Sequence, residues 1–194
     1  MSSSPLFAAL ESLFGLPAHP LIVHAAVVLV PLAAIGTITI AFWPAARRRI
    51  GWIVVGLALV GTFSCWLASQ SGEALQENVP RTAAVADHAE EGDGAALFGA
   101  AVFVGAAAIM GIDEVKRRRS AAGQPEDPRL RVVAVVAGVV AIVLSLLGGA
   151  RIVQVGHSGA KAVWEDPGGT NGANPATLTT VPGGEGGGSG GDRD

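Results

Sequence analysis

The chain is short of charge, of sulfur and of tyrosine. Of its 194 residues only 15% are Asp, Glu, Lys or Arg, 50% are hydrophobic, and Tyr is missing altogether. A soluble domain carries roughly a quarter charged residues to cover its surface. That shortage excludes the ordinary soluble class and puts the chain in a membrane. Sulfur chemistry is limited to one cysteine, Cys65, set inside an apolar run. A single thiol rules out an internal disulfide, a thiolate zinc site and an iron–sulfur cluster built from this chain, so any metal must be held by nitrogen or oxygen. The formal net charge of -3 is too small to attract nucleic acid. No Lys or Arg precedes Arg47, so the basic region of a cleaved signal peptide is missing and the first apolar run is expected to stay in the mature protein.

Four apolar runs are present: Leu21 to Trp43, Ile50 to Ser69, Ala95 to Ile112 and Val132 to Val155. Each is long enough to cross a hydrocarbon core of roughly 30 Å as a helix of about 20 residues. The expected fold is all-α, an integral membrane four-helix bundle in contact with the lipid bilayer. The third run is the richest in Ala and Gly, which suits close packing against a neighbouring helix. No solenoid-type repeat exists, and the similarity between the two helix pairs is too weak to carry an argument.

Positive charge is sorted among the loops. Arg47, Arg48 and Arg49 lie between runs one and two, and Lys116 to Arg119, Arg129 and Arg131 between runs three and four. The loop between runs two and three has only Arg81 among Glu73, Glu77, Asp87, Glu90, Glu91 and Asp93. The positive-inside rule therefore predicts a multi-pass protein of the plasma (inner) membrane with both termini outside. Residues 1–17 space Leu6, Phe7, Leu10, Leu13 and Phe14 as in an interfacial helix. Residues 165–194 are Gly- and Pro-rich with little to bury, as in a disordered tail.

With this topology all four histidines fall on the outer side. His19 and His24 open the first helix, His88 precedes the third run and His157 closes the fourth. A histidine inside a span costs free energy and is a functional candidate by default. Inward-facing histidines at matched depth are how a four-helix bundle holds a haem or a metal. Depth counting pairs His24 with His157, and His19 with His88 as a second, shallower site. Asp87 and Glu90 are candidate partners for the other ring nitrogen of His88. Arg151 and Gln154 are candidates for contacting haem propionates. Structural roles stay open beside these: His19 as a helix cap, His88 as a loop residue, His24 as a hydrogen-bonding group between helices, His157 as a helix end, and Arg151 as a snorkelling arginine.

"HPLIVH" opening the first span, "SGEAL" after the second, "DHAEEGDG" leading the third and "GHSGAKAVW" closing the fourth together resemble a bacterial integral membrane family known as domain of unknown function 2231. The resemblance covers roughly Ala18 to Trp164. Members typically carry the HPxxVH opening and often a second histidine after the closing aromatic, where this chain has Glu165 after Trp164. Some relatives are fused to a Rieske-type iron–sulfur domain, which implies a redox setting, although this chain lacks the cysteine–histidine cluster of that domain.

These observations lead to one principal expectation: a bundle that binds a b-type haem, or a His-bound metal ion, near the outer face and passes electrons to a redox partner protein there. The rival is a cofactor-free accessory or scaffold subunit whose histidines pack or sense pH. A metal-ion carrier is disfavoured, because no carboxylate lies in the middle of a span to continue a pathway.

Overall fold

The computed structural model describes residues 12–13, 16–76 and 83–164. The tail 165–194 and most of the expected interfacial helix lie outside the described residues. Within 1–17 the described residues are Ser12–Leu13 (β1) and Leu16–Pro17 (β2), which pair antiparallel with Leu13 opposite Leu16. These four residues are extended where a helix was expected.

Among the described residues five helices follow: α1 (Ala18–Phe42), α2 (Pro44–Gln76), α3 (Ala83–Gly92), α4 (Ala95–Ala121) and α5 (Pro128–Trp164). Four segments are long and apolar enough to cross a membrane, His19–Phe42, Pro44–Glu73, Val85–Ala121 and Pro128–Lys161. The helices outrun the apolar stretches: the 37 residues of α5 reach about 55 Å at 1.5 Å per residue, well beyond a hydrocarbon core of roughly 30 Å. The third segment is not one continuous helix through His88. It breaks at Asp93–Gly94, where Gly94 takes φ 117°, a left-handed value that glycine adopts without steric cost.

The spanning helices form a ring in which α1 packs on α2 and α5, and α4 packs on the same two. Small residues let them approach. Ala26, Ala33, Ala34, Ala58, Ala106 and Ala141 are all buried. A Cβ at Gly148 would lie 2.9 Å from the backbone oxygen of Phe98, so α4 and α5 touch main chain to main chain there. Without a hydrophobic drive between helices in lipid, such van der Waals contact is what holds a bundle together. The outward faces are large and apolar, Trp52, Phe63, Val136 and Leu147 among them, and suit acyl chains.

One end of the bundle is basic. There Arg47 of α2 donates from Nε to the Ile40 carbonyl at 2.7 Å and from Nη2 to the Ala41 carbonyl at 2.8 Å. These belong to the last turn of α1, whose carbonyls lack intrahelical partners and carry the negative end of the helix dipole. Nη1 of Arg47 faces Asp113 of α4 at 3.5 Å.

Candidate functional site

The opposite end gathers the histidines, and their helical faces decide which of them meet. His19 lies in the first turn of α1, which begins at Ala18, inside the helix and not at its cap. It continues the stripe of Ala26, Val30, Ala33 and Thr37, all buried, at the spacing of three, four and seven that keeps residues on one face. His24 falls on another stripe, with Leu21, Val28 and Ile35, and like them it is exposed. His157 shares an exposed face with Val153 and Leu146. The pair matched by depth therefore points away from the bundle interior, and His24 Nδ1 contacts the Pro20 carbonyl of its own helix at 2.6 Å.

His19 and His88 do come to one place, each clamped the same way. His19 Nδ1 is 2.8 Å from Ser71 Oγ at the end of α2, and His88 Nδ1 is 3.2 Å from Ser158 Oγ at the end of α5. Each serine is followed by a glycine that makes room for the ring. A Cβ at Gly72 would lie 3.1 Å from His19 Cε1, and one at Gly159 only 2.9 Å from His88 Cε1. Both rings stand half-buried at this end of the bundle.

Each serine hydroxyl has an acceptor besides the ring. Ser71 Oγ reaches the Ala68 carbonyl at 3.1 Å, and Ser158 Oγ reaches the Val155 carbonyl at 3.0 Å and the Glu91 carboxylate. A hydroxyl that gives its one proton to such an acceptor can still accept from a ring N–H. In the tautomer that donates from Nδ1, Nε2 keeps its lone pair.

The second clamp carries additional polar groups. Glu91 of α3 accepts from Ser158 Oγ and from Gln154 Nε2, the latter at 3.3 Å, and the charges of Arg151 and His88 act on the same carboxylate. Of the two residues expected to meet propionates, Gln154 is bonded to this carboxylate, and Arg151 acts on it only through its charge. Asp87 and Glu90, the expected partners of His88, are exposed; Ser158 fills that role. The sequence signal for the serines was present but unused: each helix pair starts with a histidine and ends with Ser-Gly, at Ser71-Gly72 and Ser158-Gly159. The two helix pairs are therefore more alike than overall similarity suggests. Among the described residues no group of three or more His, Cys, Asp or Glu is placed to hold a metal ion.

No curated protein and no solved structure matches the chain. The model of one family, described as a predicted membrane protein, DUF2231, matches residues 15–172. With four helices of spanning length and a match over most of its length, the chain is an integral membrane protein and belongs to the DUF2231 family.

Proposed function

We propose that the histidine end is a redox centre at the outer face of the plasma membrane, where His19 and His88 together hold a transition-metal ion and the protein passes electrons to a partner docked there. The observation that supports this reading is the matched clamp: each Nδ1 is tied to a serine hydroxyl that also has a carbonyl in reach, an arrangement in which a ring donating from Nδ1 keeps its lone pair on Nε2 at the same end of the bundle. Imidazole nitrogen suits copper, iron, zinc and nickel, and of these copper and iron change oxidation state, which is the chemistry such an ion supplies. The chain's own residues orient the donors. Ser71 and Ser158 hold the rings against rotation, and Gly72 and Gly159 let each ring lie against a helix backbone. A bare ion fits better than a b-type haem, because Gln154, one of the two expected propionate partners, is bonded to Glu91.

The test is a copper(I) titration of the purified full chain in detergent against a chromophoric chelator, with an absorbance spectrum taken before loading. The expected result is about one ion retained per chain, lost in His19→Ala and in His88→Ala and kept in His24→Ala and His157→Ala. A reducible Soret band would replace the ion by haem. If the wild-type chain retains neither, the redox reading fails and the clamps are structural pins of a cofactor-free scaffold subunit, a role their hydrogen bonds already suit.

A further inference from the structure

At the basic end a small, open cleft lies between α1, α2, α4 and α5, lined by Ala41, Arg47, Asp113, Lys116, Ala134 and Gly138. Its level in the bundle follows from the sequence. Ile112 closes the apolar run of α4 and Val132 opens that of α5, so the cleft straddles the depth where hydrocarbon gives way to headgroups. Its two halves differ in character. Towards the polar side stand two cations. Arg47 is held rigidly by the Ile40 and Ala41 carbonyls, and its contact with Asp113 is a long 3.5 Å, at the weak limit for a hydrogen bond, so the guanidinium keeps donor capacity on Nη1. Lys116 is exposed and makes no hydrogen bond or ion pair among the described residues. Towards the membrane the wall is Ala134 and Gly138, and a Cβ at Gly138 would meet nothing within 4 Å. Beyond it runs the exposed valine face of α5, with Val135 and Val139.

We propose that this cleft binds an anionic phospholipid, its phosphate between Lys116 and Arg47 and one acyl chain lying over Ala134 and Gly138. Cationic pockets between helices at the headgroup level are suited to such lipids, and here the apolar floor continues without a break into the lipid-facing surface. Asp113 tunes the site: its carboxylate offsets part of the Arg47 charge, so the lipid competes with it.

The experiment titrates the full chain in neutral detergent with dioleoyl-phosphatidylglycerol or dioleoyl-phosphatidylcholine and counts bound lipid by native mass spectrometry. Phosphatidylglycerol is expected to bind and phosphatidylcholine not to. Lys116→Gln should weaken binding about fivefold, the effect of one cation at a membrane surface. Gly138→Leu, which fills the cleft at constant charge, should weaken it at least as much, and Asp113→Asn should strengthen it. Arg129→Gln, an exposed cation outside the cleft, should change it less than about twofold at physiological salt. Thermal unfolding of each variant checks that it is folded. Equal losses from Lys116→Gln and Arg129→Gln would show a diffuse basic field and overturn the site. So would equal binding of the two lipids, or displacement of phosphatidylglycerol by millimolar inorganic phosphate, which would make the ligand a free anion.

Discussion

The two ends of the bundle use polar groups in opposite ways. At the histidine end the two clamps, with the Glu91 carboxylate beside the second, tie together residues far apart in the chain, 52 residues for His19 and Ser71 and 70 for His88 and Ser158. At the basic end most contacts are charged and local. Glu114 pairs with Arg117 and Arg118 three and four residues along the same helix, with arginine side chains 59% and 79% exposed. Arg47 is the exception, joining α2 to α1 and α4. Long-range contacts between helices position groups relative to one another. Exposed local ion pairs contribute little to the fold.

Arg47→Met should give the largest effect, because it removes the basic end's tie between helices and leaves two helix-terminal carbonyls without a donor. A loss of about 3 kcal/mol is expected, read as a drop in the thermal midpoint in detergent. A small drop would mean that the basic end is held by packing alone. Next comes a pair of glycine substitutions. Gly159→Ala places a methyl 2.9 Å from His88 Cε1 and should cost about 2 kcal/mol as overpacking, together with the metal retention of the pair. Gly111→Ala, near the basic end of α4 with nothing within 4 Å, should leave both unchanged.

Ser71→Ala and Ser158→Ala should each cost about 1 kcal/mol by leaving an Nδ1–H without its acceptor. Each should also shift the proton resonances of its own histidine ring more than those of the other. Equal shifts in both rings would show one coupled network in place of two clamps. Glu114→Gln should give no measurable change in the thermal midpoint, and a clear drop would mean that the local pairs at the basic end hold the fold after all.

The membrane class, the four spans and the gathering of histidines were legible because hydropathy and run length act over whole segments. Which histidines face inwards was not legible from depth. His19 and His24 are five residues apart, a turn of about 140°, and depth counting favoured the deeper one. Continuing the stripe of Ala26, Val30, Ala33 and Thr37 back to His19 would have chosen correctly, but Ala and Val are equally common on a lipid-facing surface, so in a spanning helix the stripe declares itself only once neighbours are in place. The serines were passed over because a hydroxyl at a helix end looks like an ordinary polar boundary. Only the fold shows that each reaches a histidine ring on another helix.

The placement of the clamps also sets an order of events during synthesis. Each clamp closes its own helix pair: His19 and Ser71 lie in the first, His88 and Ser158 in the second. Both partners of the first exist once the ribosome has added Gly72, before His88 has been translated, so the first hairpin can lock as it enters the bilayer, in keeping with the tendency of N-terminal units to fold first. The second hairpin then arrives as a separate unit with its own catch. Nascent chains stalled beyond residue 72 by enough length to clear the exit tunnel and the membrane should already carry a closed first hairpin, and the two imidazoles should come together only when the second has inserted.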